Sequence, residues 1–335
     1  MRIAVDAMGG DHAPLEIVAG AVQAAKGIPG LTTLFLVGQE SAIREELAKY
    51  GEVPSKIVIR HAAETIGMDE SPALAIRKKK DNSISRCMDM VKAGEADAVV
   101  SAGNTGAMVV GATLKLRTLD GIQRPAIATV IPTMGRPVVL IDAGANTDCA
   151  PDLLVEFALM GSVYAREILG TRNPVVGLLS IGGEESKGNE ITKEAFRLLS
   201  AAPVNFRGNV EGHDIFVGET DVIVCDGFVG NVVLKTSESV AHAIGSWLKK
   251  EFKANPIRLM GALLLKGAIK SLKNRMDPEL FGGAPLLGAN GVCIISHGSS
   301  SRKAIFNAVR VACEAVGHHV NEHIVEEARK LNKTA

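Results

Sequence analysis

Aromatic side chains are scarce in this 335-residue sequence: one Trp, two Tyr and nine Phe supply 4% of it, while apolar residues as a class supply 47%. The core is therefore built on aliphatic side chains, and disorder on a large scale is excluded. Excess charge is lacking too. Lys plus Arg number 37 and Asp plus Glu 37, so no global basic field gathers nucleic acid, and no nucleic-acid partner is expected. The five cysteines, Cys87, Cys149, Cys225, Cys293 and Cys313, are scattered, odd in number and never spaced C-x-x-C. That argues against a disulfide framework or a thiolate zinc site and fits a reducing cytosol. The longest run free of formal charge, Leu280 to Ser301, is broken by glycines, Pro285, Asn290, His297 and serines, so no membrane span is expected. The start of the chain reaches Asp6 after three apolar residues, too soon for a signal peptide. The expected location is cytoplasmic, with at most a peripheral attachment to the inner face of the membrane.

What the sequence does hold is alternation. Short β-branched runs (Ile3 to Val5, Leu34 to Val37, Lys56 to Ile59, Ala98 to Ser101, Ile127 to Ile131, Val138 to Ile141, Val175 to Ser180, Val222 to Cys225, Val292 to Ile295) are separated by helical patterns. Among the latter are Pro14 to Ala25, Ser83 to Lys92, Pro151 to Leu169 and Ser239 to Phe252. This order reads as crossover α/β with a mostly parallel, doubly covered sheet. The length exceeds one average domain, yet no repeat or low-complexity tether divides the chain. The expected architecture is a single two-lobed αβα unit over residues 1–333 with a central cleft.

Three of the predicted strands end in turns of small polar residues. Asp6-Ala-Met-Gly-Gly-Asp-His-Ala-Pro14 joins two glycines, which let backbone approach closely, to a proline suited to a first helical turn. Ser101-Ala-Gly-Asn-Thr-Gly-Ala107 and Asp142-Ala-Gly-Ala-Asn-Thr-Asp148 repeat the arrangement. None is G-x-G-x-x-G or a Walker loop. Ligands of open α/β sheets bind beyond the carboxyl ends of the strands. Asp6, Gly9, Gly10, Asp11, His12, Asn104, Thr105, Gly106, Asp142 and Asn146 are therefore candidates for binding an anion, with helix capping as the alternative for Asp11.

Further motifs are Ile181-Gly-Gly-Glu-Glu-Ser-Lys-Gly-Asn189, Asp226-Gly-Phe-Val-Gly-Asn-Val-Val-Leu-Lys235, Gly282-Gly-Ala-Pro-Leu-Leu-Gly288 and Ser296-His-Gly-Ser-Ser300. They add Lys187 and Lys235, either stabilisers of a phosphate or thioester oxyanion or solvated surface lysines. His297, beside Ser299, reads as a hydrogen-bond donor, a base or a structural residue. There is no G-x-S-x-G elbow, Cys225 has no local activating His, and His319-Val-Asn-Glu-His323 reads as an exposed helix end rather than a zinc site. These residues point to positioned anions and not to a covalent intermediate.

Residues 247–277 depart from the neutral background. Lys249, Lys250, Lys253, Arg258, Lys266, Lys270, Lys273 and Arg275 stand against Glu251 and Asp277. Ile257, Met260, Leu264 and Ala268 fall on one helical face with Lys266, Lys270 and Lys273 opposite, which predicts a protruding, basic amphipathic helical segment over 247–277, with one helix through 256–275. It either meets an anionic membrane surface or covers a core or dimer interface with snorkelling lysines. Leu259 and Leu263 fall on the lysine side, so part of that face is expected to be covered as well.

Taken together, D-A-M-G-G-D-H-A-P at 6–14, A-D-A-V-V-S-A-G-N-T-G-A at 96–107, D-G-F-V-G-N-V-V-L-K at 226–235 and G-G-A-P-L-L-G at 282–288 closely resemble the phosphate acyltransferases of bacterial phospholipid synthesis. Glu70-Ser-Pro72, Arg77 to Lys80, Arg124 to Ile127 and Ile295 to Ser300 match in order. The resemblance implies transfer of a long-chain acyl group from acyl-acyl carrier protein to inorganic phosphate, giving acyl phosphate and free carrier for a downstream glycerol-3-phosphate acyltransferase. It also implies a homodimer, no nicotinamide and no metal, and a fold similar to isocitrate and isopropylmalate dehydrogenases and phosphate acetyltransferase. Where the dehydrogenases carry metal-binding aspartates near G-D-x-x-x-D, this chain carries Asn231 and Lys235, an amide and a cation that suit an anion better than a divalent metal. In that frame the turns at Gly9/Gly10, 104–106 and Asn146 position phosphate, and Lys187, Lys235 or His297 meets the developing oxyanion. Carrier protein is acidic as a class, so Arg77 to Lys80 or the basic 249–275 segment is expected to receive it. The alternatives are a short-chain phosphate acetyltransferase using coenzyme A, a scaffold without turnover and a metal-dependent dehydrogenase.

Overall fold

Runs of aliphatic residues with period two or 3.6 become strands and helices once both faces of a sheet are covered. The structure, a computed structural model, describes residues 1–275 and 278–334. In chain order the strands are β1 (Arg2–Asp6), β2 (Thr33–Gly38), β3 (Ile57–His61), β4 (Ala98–Ser101), β5 (Ala126–Ile131), β6 (Val138–Ile141), β7 (Val175–Leu179), β8 (Asn205–Val210), β9 (Val222–Val224), β10 (Ala284–Leu287) and β11 (Val292–Ile295). The helices are α1 (Leu15–Gly27), α2 (Glu40–Leu47), α3 (Pro72–Lys78), α4 (Ser83–Lys92), α5 (Thr105–Gly111), α6 (Pro151–Glu167), α7 (Glu190–Ala201), α8 (Gly227–Phe252), α9 (Pro256–Leu264), α10 (Lys266–Arg275), α11 (Arg302–Gly317) and α12 (Val320–Thr334).

All strands join one sheet in the order β3-β2-β1-β4-β11-β10-β5-β6-β9-β7-β8. From β3 to β11 neighbours are parallel. Then β10 turns back on β11, β5 on β10 and β6 on β5, after which β6, β9, β7 and β8 are parallel again. The fold class is thus the expected α/β with a mostly parallel sheet and flanking helices. The central strand β4 shows why: Val99 packs with α4 and α5 on one face, and Ala98 and Val100 pack with α1 and α11 on the other.

The three reversals have a consequence for the site. They turn the second parallel block end for end, so the carboxyl ends of β1, β4 and β11 lie on one edge of the sheet and those of β6, β9 and β7 on the other. The expectation that the Asp6, Asn104 and Asp142 turns share one edge is therefore corrected.

Two strands went unpredicted. β8, Asn-Phe-Arg-Gly-Asn-Val, is an outer strand with little apolar patterning, and β10 lies inside the Gly282 to Gly288 motif with Pro285 opposite Ile294. That motif lies between the two strand blocks, where β10 pairs with β11 and β5. The helix expected over Ser239 to Phe252 starts earlier, at Gly227, because the Asp226 carboxylate accepts the Val229 amide and caps it. The single helix expected over 256–275 is two, broken at Leu265, so Ile257, Met260 and Leu264 share a helix that Ala268 does not. Asp277 and the Lys273 side chain lie outside the described residues. No described helix is long and apolar enough to cross a membrane.

Candidate active site

At the first edge, Asp6 ends β1 in the interior, 1% exposed. Its Oδ2 accepts the Ser101 hydroxyl at 2.7 Å and its Oδ1 the Met8 amide at 3.1 Å, while Ser101 Oγ accepts the Gly103 amide at 3.0 Å. Burial pushes the Asp6 carboxyl up, and hydrogen bonds from Ser83, Ser101 and the Met8 and Gly9 amides pull the other way. A Cβ on Gly9 would lie 2.4 Å from Asp6 Oδ2 and 2.6 Å from the Gly103 nitrogen, and Gly10 has φ +107°, so this turn requires glycine. Asp11 does not cap α1, whose N-cap is Pro14; its amide donates to Gly298 O at 2.8 Å. The turns after β1, β4 and β11 thus meet.

Asn104 ties a fourth segment to them. Its Oδ1 accepts the Ala107 amide and caps α5, and its Nδ2 is directed at Gly67 O, Met68 O and Glu70 O at 3.3, 3.0 and 3.0 Å. With both polar atoms engaged and 7% exposure, this side chain positions the site rather than contacting a ligand. What faces outward is Thr105, beside the first α5 amides, which have no intrahelical acceptor. Gly106 lies against Pro72, where an added Cβ would meet Cγ at 2.5 Å. His12 and Ser299 line an open depression with Ala13, Leu15, Glu16 and Ser301. His297 is exposed, and its Nδ1 accepts the Ser299 amide at 3.2 Å and lies 2.8 Å from Ser299 Oγ. An accepting Nδ1 leaves Nε2 as the proton-bearing nitrogen of the neutral ring, available to donate.

At the opposite edge Asp142 is fully buried. Its Oδ1 accepts the amides of Ile127, Gly144 and Ala145 at 3.0, 3.1 and 3.0 Å, and its Oδ2 accepts the Asn146 amide and side chain at 2.7 and 2.9 Å. Burial raises the carboxyl's pKa and these donors oppose it. Asp142 is therefore the knot of its turn, and Asn146 Nδ2 also donates to Pro125 O at 2.8 Å. The start of α8 docks on this turn: the Gly227 amide donates to Asn146 O at 2.7 Å, and a Cβ on Gly230 would sit 1.9 Å from Asp142 O. Asn231 stands next to Gly144 and Lys235 one helical turn on, its Nζ 2.9 Å from Glu238 Oε2. Lys187 is exposed on the β7–α7 loop at the same edge, its side chain folded over Gly182 and, among the described residues, in no ion pair.

The candidate residues thus form two groups. One holds Asp6, Gly9, Gly10, Asp11, His12, Asn104, Thr105, Gly106, His297 and Ser299; the other holds Asp142, Asn146, Asn231 and Lys235, with Lys187 nearby along the edge. Beneath them one buried apolar core includes Ala107 and Met108 from α5 and Ala143 from the β6 turn, with the partly buried Ala145 and Leu234 of α8 packed against it. Ser101, Gly103, Gly227 and Gly230 went unread as site residues, although each lies within or beside a quoted motif. In the Gly67 to Glu70 segment Glu70 alone belongs to a quoted stretch, and the link of the segment to Asn104 is made only by folding. No group of three or more described His, Cys, Asp or Glu side chains is placed to hold a metal ion.

A family model described as "Fatty acid synthesis protein" matches residues 1–323. Proteins named phosphate acyltransferase resemble the chain from end to end. That of Desulfitobacterium hafniense is 53% identical over 98% of this chain and 97% of its own, and that of Geobacter sulfurreducens 48% identical over 98% and 94%. The chain belongs to the phosphate acyltransferase family. The family is one of acyltransferases, so the dehydrogenase reading falls and the resemblance read from the motifs is borne out. Among solved structures, a phosphotransacetylase from Streptococcus pyogenes superposes with TM-score 0.62 at 19% identity, covering 95% of this chain and 94% of that one. A 4-hydroxythreonine-4-phosphate dehydrogenase from Klebsiella pneumoniae gives 0.53 at 13%, covering 96% and 99%. These share the dehydrogenase-like fold of this acyltransferase-family chain.

Proposed function

We propose that the protein converts long-chain acyl-acyl carrier protein and inorganic phosphate to acyl phosphate and free carrier, supplying a glycerol-3-phosphate acyltransferase in phospholipid synthesis. The observation that carries this reading, in a chain of the phosphate acyltransferase family, is the meeting of the Gly9/Gly10 turn with the start of α5, where Thr105 is exposed and the first amides have no intrahelical acceptor, an arrangement that suits an anionic nucleophile. In the reaction a phosphate oxygen attacks the thioester carbonyl carbon and the carbonyl electron pair moves to oxygen. On collapse the carbon–sulfur bond breaks and the carrier leaves as thiolate. The α5 amides at Thr105 and Gly106 and the Gly9/Gly10 turn hold phosphate, which supplies the positional part of the rate. The Nε2 proton of His297 on the phosphate edge, and Lys187 and Lys235 reaching across the central cleft from the other, are the groups free to meet developing negative charge, Lys235 by leaving Glu238.

The unit works as a cytoplasmic two-lobed body over residues 1–333, with the lobes formed by the two strand blocks. Its arm favours a homodimer attached peripherally to anionic membrane. Trp247 on α8, and Ile257, Met260, Leu263 and Leu264 on α9, are 63–85% exposed, Leu263 on the side opposite Ile257. A second copy along α8 and a membrane at the α9–α10 tip, where Lys266 and Lys270 are exposed, would cover both sides. The test of the site is turnover of acyl-acyl carrier protein by Lys187→Ala and Lys235→Ala. At least one is expected to fall about a hundredfold in kcat with the melting curve unchanged. Full activity in both would remove the charge-stabilising role.

A further inference from the structure

Many cations of this chain stand outside ion pairs, and a group of them that shares one face beside the candidate site is a surface suited to an acidic partner. On α3, Ala75 and Ile76 are buried against the protein, and the helix packs on α5. Leu74, Arg77 and Lys78, spaced i, i+3 and i+4, share the opposite, exposed face, with Leu74 52% exposed. Lys80 follows, also exposed. The next cation differs: Lys79 turns inward, its Nζ 2.5 Å from Glu70 Oε1 and 2.7 Å from Thr65 O. The other charges nearby are satisfied, Asp81 by Arg86 and Asp89 by Lys115. Among the described residues Arg77, Lys78 and Lys80 are thus three exposed cations outside any ion pair, and the exposed Asp69 is the acid nearby in sequence that is likewise outside one.

The position of this ridge matters as much as its charge. Pro72, the first residue of α3, lies against Gly106 at the start of α5, and the preceding Glu70 carbonyl is held by Asn104. Seven residues of helix span roughly 10 Å, so the cations stand about that far from the first site cluster. The basic arm does not compare. Lys249 and Lys250 lie some 22 residues along α8 from Gly227, roughly 33 Å, where α9 packs on that helix and α10 on α9.

We propose that the exposed face of α3, Leu74, Arg77 and Lys78 together with Lys80, is the docking surface for an acidic acyl carrier protein, and that the 249–275 arm is not. This rests on the carrier-substrate reading above and says where the carrier sits. Rim cations of this kind act on encounter and affinity more than on the chemical step.

The test compares two thioesters with the same acyl chain, one on carrier protein and one on pantetheine alone. In the full-length protein carrying Arg77→Glu, Lys78→Glu and Lys80→Glu, KM for the carrier substrate is expected to rise about tenfold or more while kcat stays within about twofold. Both constants for the pantetheine thioester stay unchanged, which also reports an intact fold. In the unaltered protein, KM for the carrier substrate should rise steeply between about 50 and 300 mM salt. Lys249→Glu with Lys250→Glu and Lys253→Glu is expected to leave carrier KM alone. An unchanged carrier KM in the α3 variant, an equal rise for both thioesters, a flat salt response, or a rise confined to the arm variant would each overturn the docking site. If the unaltered protein turns over neither thioester, the carrier-substrate reading itself falls, and the docking surface with it.

Discussion

The Asp97 carboxylate binds Arg2 where β1 and β4 begin, its Oδ2 accepting the Arg2 amide at 2.7 Å and its Oδ1 the guanidinium at 2.5 Å. Partial burial favours the protonated acid, but the Arg2 bonds and charge outweigh it and hold the pKa below the ordinary value. A carboxyl lowered in this way contributes stability above its unfolded pKa and loses it as pH falls through the folded one. Asp97→Asn is therefore expected to lower the denaturation midpoint at ~pH 7 and to lower it by less as the pH falls below ~4. An equal gap across that range in urea titrations would contradict the assignment. Individual residues also explain what misled at the sequence level. Asn104 and Asp142 have the chemistry of ligand groups, yet one caps a helix and clamps a loop, and the other collects five donors. A side chain that positions a turn and one that contacts a ligand have the same composition in a sequence. Only the partners, drawn from distant segments, tell them apart.

Among the elements, α8 is the most constrained at its start and the least at its end. Gly230 lets the helix sit on the Asp142 carbonyl, whereas Gly245 on the same helix has no atom within 4 Å of an added Cβ. Gly230→Ala is expected to cost about 3 kcal/mol or more through overpacking against backbone, and Gly245→Ala to be neutral or stabilising by up to about 1 kcal/mol. Chemical denaturation of the pair checks this, and equal effects would mean that α8 does not depend on that contact. Strands with dense aliphatic runs, such as Ala98–Ser101 and Val138–Ile141, are legible to the residue because burial on both faces leaves no polar alternative. β8 and β10 are not, since neither shows a strand pattern and β10 is identified by its partners β11 and β5.

For the whole molecule, the parallel α/β class and the family follow from local runs and motifs. The division of the candidate site between two sheet edges does not, because it depends on the direction of β10, β5 and β6, which no local pattern encodes. The exposed arm is a matter of assembly. Leu264, 85% exposed, is the most open of the large apolar side chains on α9. Leu264→Glu is expected to weaken sedimentation with anionic liposomes, and unchanged sedimentation of a correctly folded variant would remove the membrane role.

The most direct test of the central claim is hydroxylamine trapping during consumption of long-chain acyl-acyl carrier protein, with and without inorganic phosphate. Phosphate transfer predicts acyl hydroxamate in step with release of the carrier thiol, only when phosphate is present, and no comparable product from acetyl-coenzyme A. Thiol release that ignores phosphate, or hydroxamate formed only from acetyl-coenzyme A, would contradict it.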